Sequence, residues 1–261
     1  MQLRGSRILV TGASGGLGVA IARELAHEGA ELVLTARRRE LLDSLAAETG
    51  AEVLVADLAD RADQERLCEA AIACDGVVAN AGIGQEPDLR GDAGEATEIT
   101  DRVIEVNLRA PIVLAQRFAA AKLADRRQGA IALVGSLSGM SATPGTHMYC
   151  ATKFGLRGFA LSFAQELEGT GVTCSLVAPG FIADAGMHHD SGMELPSAVR
   201  KKLPVDVGRG VVTALRKAPM EVFVAPVELR AASMLSTFAP AISAAVLRRA
   251  GAAEVVSNAR D

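Results

Sequence analysis

Short, wholly apolar runs alternate with longer stretches of helical period along the first eighty residues. Arg7-Ile-Leu-Val-Thr11, Glu31-Leu-Val-Leu-Thr35, Glu52-Val-Leu-Val-Ala56 and Asp75-Gly-Val-Val-Ala79 are strand-length and lack polar/apolar alternation. Such strands are covered on both faces. Between them, Leu17, Ile21 and Leu25 recur at helical spacing before Gly29, Leu41, Leu42 and Leu45 mark a helix over Arg38–Thr49, and a third begins at Asp60. The pattern resumes after a polar loop from Gln85 to Glu95. It predicts a helical region at 97–124, a strand at 130–135 and a helix opening at Tyr149. A strand at 172–178, a helix at 205–217 and a last strand at 221–225 follow. Strict alternation implies right-handed crossovers and a parallel sheet with helices on both faces. The fold class is therefore α/β, doubly wound.

Composition narrows this only slightly. The 261 residues carry a formal net charge of −4, which argues against a general nucleic-acid binder. With no internal repeat or linker, residues 1–261 read as a single domain, and 226–261 as a C-terminal helical extension. Cys68, Cys74, Cys150 and Cys174 show no paired spacing and are expected to be reduced thiols. The N-terminus enters a strand without an apolar leader, so a cytoplasmic protein is expected. The tail is interrupted by Ser233, Ser236, Thr237 and Pro240 and is a poor transmembrane segment. His188-His189 has no identifiable partners, and no metal is assigned.

Three stretches carry candidate chemistry. A glycine cluster, Gly12-Ala-Ser14-Gly15-Gly16-Leu17-Gly18, stands between the first strand and the first helix. There the backbone can approach a pyrophosphate and the helix N-terminus can stabilise it. The second strand ends in Thr35-Ala-Arg37-Arg38-Arg39 with no acid before Glu40. Arginine suits a 2′-phosphate, so NADP(H) is expected over NAD(H), with Arg37 and Arg38 at that phosphate. The third stretch runs from Ser136, at the end of an apolar strand, to Tyr149 and Lys153, four apart on a helix. A hydroxyl, a phenol and an ammonium there suit proton exchange with a carbonyl or alcohol oxygen, and a nearby cation is expected to lower the phenol pKa. Proline at 111 denies the Asn107 carbonyl its helical donor, predicting a kink at Asn107 that faces the site.

In this order, Thr11-Gly-x-x-x-Gly-x-Gly18, Asn80-Ala81-Gly82, Asn107, Ser136, Tyr149-x-x-x-Lys153 and Pro179-Gly180 resemble the short-chain dehydrogenase/reductase family from about residue 5 to 225. The resemblance implies a Rossmann-type fold and a hydride transfer between nicotinamide and a carbonyl or secondary alcohol. It implies Tyr149 as general acid/base and Ser136 as the donor to the substrate oxygen. Lys153 would tune the tyrosine and hold the nicotinamide ribose, and Asn107 would position a water. By the same resemblance, Ser14, Gly15 and Leu17 meet the phosphates and ribose, and Asp57 and Leu58 the adenine. Asn80, Ala81 and Gly82 meet the cofactor ribose, and Ile182, after Pro179-Gly180, the carboxamide. A homodimer or homotetramer through the two long helices is likewise implied.

Two departures qualify it. No threonine follows Pro179-Gly180, where Phe181-Ile-Ala-Asp184 stands, and Asp184 is the nearby group that could accept from the carboxamide NH2. The chain also continues some thirty-five residues past the last strand, unlike relatives that reduce β-ketoacyl thioesters. Met187, Met193 and Leu195 in the irregular 181–203 segment suggest a partly apolar substrate. The alternative reading is a catalytically silent NADP(H)-sensing binding protein on the same fold. The complete Asn107, Ser136, Tyr149 and Lys153 set argues against it.

Overall fold

The computed structural model describes residues 1–88, 92–184, 200–242 and 245. Seven strands form one parallel sheet: β1 (Arg7–Thr11), β2 (Glu31–Ala36), β3 (Glu52–Val55), β4 (Gly76–Ala79), β5 (Gly129–Val134), β6 (Val172–Pro179) and β7 (Glu221–Val224). Their order is β3-β2-β1-β4-β5-β6-β7, so the chain runs outward from β1 to one edge and returns through β4 to the other. The doubly wound expectation holds. This order opens a crevice beyond the carboxyl ends of β1 and β4, where ligands bind in such sheets. The loops after these strands carry Gly12–Gly18 and Asn80–Gly82.

Helices cover both faces. On one, α1 (Gly16–His27), α2 (Arg39–Thr49) and α7 (Pro204–Lys217) bury Ile21, Leu25, Leu42, Leu45, Val207 and Val211 against the sheet. On the other, α3 (Arg61–Ile72), α5 (Ala110–Ala124) and α6 (His147–Glu166) bring Leu67, Leu114, Phe118 and Leu156 against Leu9, Val77 and Ile131, and α4 (Ala93–Ile104) packs on α6. Arg157 on α6 forks onto Glu221 at 2.7 and 3.0 Å, tying that helix to the sheet's last strand. After β7, α8 (Val227–Phe238) packs beside the Ser136 loop, where the Thr237 hydroxyl donates to the Met140 carbonyl at 2.9 Å. No described helix is long and apolar enough to cross a membrane.

Several boundaries differ from expectation. The region expected to be helical from 97 begins at Ala93, because Asp92 caps it by accepting from the Gly94 and Glu95 amides at 2.8 and 3.0 Å. Arg38 is the N-cap of α2 rather than its first residue, and α6 opens at His147, two residues before Tyr149. The kink expected at Asn107 is instead a π turn, Glu105–Arg109, between α4 and α5, in which the Ala110 amide reaches back five residues to the Glu105 carbonyl. Pro111 then sits in the first turn of α5, where its missing N–H costs little. Met187, His188, His189, Met193 and Leu195 lie outside the described residues.

Candidate active site

The glycine loop is shaped by contacts no side chain could share. Gly12 lies at φ +65°, and a Cβ there would stand 2.7 Å from Ala81 Cα; one on Gly18 would stand 2.1 Å from the Gly12 carbonyl oxygen. Gly15 is the N-cap of α1, whose first turn holds no acid, so its leading amides and dipole are available to an anion. Ser14 is placed by the loop, and its carbonyl accepts from the Arg38 guanidinium at 3.2 Å. Arg37 is exposed and has no ion-pair partner among the described residues. The cradle and its cationic edge fit the phosphates of a dinucleotide.

The adjacent loop is pinned by Thr11, buried at the end of β1. Its hydroxyl accepts from both the Asn80 and Ala81 amides at 3.0 Å, while the Asn80 side chain donates to the Thr11 and Gly12 carbonyls at 3.0 and 3.2 Å. Thr11 thus joins the two loops that flank the crevice, a role its place in the glycine motif does not signal. Asp57 accepts from the Ala59 amide at 3.0 Å and lies 3.8 Å from Arg102; the neighbouring Leu58 carbonyl accepts from Gln64 at 2.7 Å.

Asn107 is wholly buried on the π turn. Its side chain bonds both backbone groups of Ile83 at 2.8 Å and reaches the Thr152 hydroxyl at 3.4 Å. Gly82 lies against both Asn107 and Lys153, so the fold brings Asn107, Gly82 and Lys153 together. Periodicity gave no sign that Ile83 and Thr152 would be the partners.

Ser136 follows β5, and its hydroxyl accepts from the Ser138 amide at 3.0 Å. Tyr149 and Lys153 project from α6, and the Lys153 ammonium lies 5.6 Å from the Tyr149 ring centroid. That ammonium is buried and donates to the Val134 carbonyl at 3.0 Å. Burial pulls Lys153 down to about 8. The phenol moves against expectation. Burial pushes Tyr149 up to about 12, the hydrogen bond with Ser136 draws it back only in part, and Cys150 raises it slightly. An ammonium facing the ring and spent on a carbonyl does little to stabilise a phenolate. The protein's own groups therefore keep Tyr149 protonated.

Beyond β6, the Gly180 amide donates to the Val224 carbonyl at 3.0 Å; a side chain there would press on Ala225 and Leu137. Pro179 closes β6. Ile182 is buried and bridges to Lys202, and Asp184 sits at φ +58°. Among the described residues, no cluster of His, Cys, Asp or Glu could hold a metal.

The short chain dehydrogenase family model matches residues 6–195. The 3-oxoacyl-acyl-carrier-protein reductase FabG of Rickettsia conorii is 35% identical over 208 residues, covering 78% of this chain and 84% of its own. A metagenomic short-chain oxidoreductase solved with NADP is similar at TM-score 0.69 and 34% identity, over 87% of this chain and 99% of that one. A short-chain dehydrogenase from Sphingobium yanoikuyae solved with NADPH gives TM-score 0.74 and 26% identity, over 84% of this chain and 87% of that one. The chain belongs to the short-chain dehydrogenase family and is an oxidoreductase of that family.

Proposed function

We propose that the chain interconverts a carbonyl and a secondary alcohol using NADP(H), with Tyr149 as general acid/base. The observation that carries the reading is the convergence of Ser136, a partly buried Tyr149 and a buried Lys153 ammonium beside Gly82. Bound NADPH would supply the hydride. Arg37 and Arg38 would meet its 2′-phosphate, Gly12 and Ser14 to Gly18 its phosphates, and Asp57 and Leu58 its adenine end. Asn80 to Gly82, Tyr149 and Lys153 would hold the nicotinamide ribose, with Pro179, Gly180 and Ile182 behind the ring.

The chain's own groups then act on the substrate oxygen. The Ser136 hydroxyl orients it, and Tyr149, kept neutral by burial, delivers its proton there in the reducing direction. Lys153 stays beside the ring through the Val134 carbonyl. Asn107 braces the nicotinamide-side loop through Ile83, and its carbonyl, lacking a donor at Pro111, is suited to a water. The exposed Ile104, Leu123 and Phe154 on α4 to α6 support pairing of these helices in a homodimer or homotetramer; light scattering on the purified chain tests it.

The substrate reading is tested by NADPH oxidation against carbonyls graded in size. Because one relative is named a 3-oxoacyl reductase, acyl thioesters belong in the panel. Turnover of one class, lost in Tyr149→Phe and weak with NADH, supports the proposal. Silence across the panel with NADPH still bound would favour a sensor.

A further inference from the structure

The helix that carries Tyr149 begins without a cap of its own. Thr146, its N-cap residue, turns its hydroxyl to the Thr143 carbonyl at 2.9 Å, and the first turn of α6 holds no acid. A helix start leaves amides without intrahelical acceptors. Two of them, Met148 and Tyr149, are satisfied from elsewhere in the chain. Glu86, beyond β4, accepts from the Met148 amide through Oε2 at 2.9 Å and from the Tyr149 amide through Oε1 at 2.8 Å. Its side chain is 8% exposed, and His147 Nδ1 lies 3.3 Å from Oε2. A carboxylate at this position meets the positive end of the helix dipole, and its hydrogen bonds are charge-assisted.

The segment that supplies this cap is fixed at its other end. Thr11 grips Asn80 and Ala81, and Asn107 grips both backbone groups of Ile83, three residues before Glu86. The segment from Asn80 to Glu86 is therefore anchored at three points: on Thr11, on Asn107 and on the backbone of Met148 and Tyr149.

We propose that Glu86 is a positioning residue for Tyr149: it docks the first turn of α6 onto the segment after β4 and so sets the phenol against Ser136. The inference rests on the reading of Tyr149 as the general acid/base. Its signature is a loss in kcat with dinucleotide binding retained, since Glu86 touches the helix start and not the glycine loop.

The test uses the full chain and two variants. Glu86→Ala removes both acceptors; Glu86→Gln keeps the length and one acceptor oxygen but sets an amide NH2 against a backbone N–H. Tyr149 is the one tyrosine in a chain without tryptophan, so the tyrosine band in near-ultraviolet circular dichroism reports how firmly its ring is held, with no substrate needed. In Glu86→Ala we expect a weakened tyrosine band, unchanged far-ultraviolet signal and kcat lower by about ten- to a hundredfold, the scale of a small misplacement of a reacting group. NADPH affinity should stay within about twofold, and Glu86→Gln should fall between Glu86→Ala and the parent. A wild-type band and kcat in Glu86→Ala overturn the proposal. Parallel loss of the band, NADPH binding and helicity also overturns it, since Glu86 would then only support the fold. If Glu86→Ala does not fold, Glu86→Gln decides by the same measures. If the parent chain reduces no carbonyl, the functional reading fails, while the tyrosine band still decides the role of Glu86.

Discussion

The Lys153 ammonium donates to the Val134 carbonyl at 3.0 Å and stands 5.6 Å from the Tyr149 ring centroid. A buried cation is thereby held beside a partly buried tyrosine by one backbone oxygen, in an arrangement costly to the fold. The fall from 10.5 to about 8 corresponds to roughly 3 kcal/mol of unfavourable charge burial near neutrality.

Lys153→Met should accordingly stabilise the protein at pH 7, by about 1–3 kcal/mol once the unpaired Val134 carbonyl is counted, while abolishing turnover. The sign follows from proton linkage. Between about 8 and 10.5 the unfolded chain binds the lysine proton and the folded chain does not, so parent stability rises with pH across that window. Denaturant titrations at several pH values should show this rise flattened in Lys153→Met. A lower midpoint for the variant at pH 7 would refute the account.

Tyr149 can be titrated by its own absorbance. With the phenol pushed up to about 12, little phenolate should develop by pH 10.5 in the folded protein, where a free tyrosine is more than half ionised. Above about 10 the folded state holds a proton that the unfolded state releases, so stability falls as pH climbs towards 12. Ser136→Ala removes the hydrogen bond that lowers the phenol and should suppress phenolate further, along with turnover. A midpoint near 10 in the parent would sink the burial argument.

Arg37 and Arg38 provide a cofactor test. The double variant Arg37→Ala/Arg38→Ala should weaken NADPH binding by about 10- to 100-fold, or roughly 1.4–2.8 kcal/mol, and leave NADH almost unchanged. Equal losses for both dinucleotides, read by fluorescence titration of the bound nicotinamide, would count against a 2′-phosphate contact.

Within the glycine loop, two neighbours should behave differently. A Cβ at position 18 meets the Gly12 oxygen at 2.1 Å, whereas one at position 15 meets it at 3.6 Å, ordinary contact. Gly18→Ala should cost about 2 kcal/mol or more and abolish dinucleotide binding. Gly15→Ala should cost less than about 1 kcal/mol, the scale of a weaker N-cap residue. Thermal melts with and without NADPH separate the two effects.

The sheet was legible because its strands are apolar throughout and its helices carry apolar residues at regular spacing. The start of α4 was readable too: Asp92-Ala-Gly-Glu95 has the spacing of a capping box, and the polar character of the loop masked it. Other features lay beyond sequence reading. The desolvation of Tyr149, which reverses the expected direction of its pKa, depends on packing from several elements. Glu86 is one of several acids in a polar loop, and nothing local pairs it with a helix start some sixty positions later. Pro111 pointed to a disturbance at Asn107, but its presence alone does not distinguish a bent helix from a widened turn.

That widened turn also fixes a rotational phase. Each residue in an α-helix advances the chain by about 100°, so the extra residue accommodated in Glu105–Arg109 turns everything in α5 relative to α4. The two halves can choose their faces independently: α5 aims Leu114 and Phe118 into the core while Asn107 keeps its grip on Ile83. Deleting one residue within 105–109 would restore a smooth helix and put its halves out of step. Either the Asn107 contact or the α5 core face would then have to be surrendered, so the chain's length at this point is as constrained as its composition.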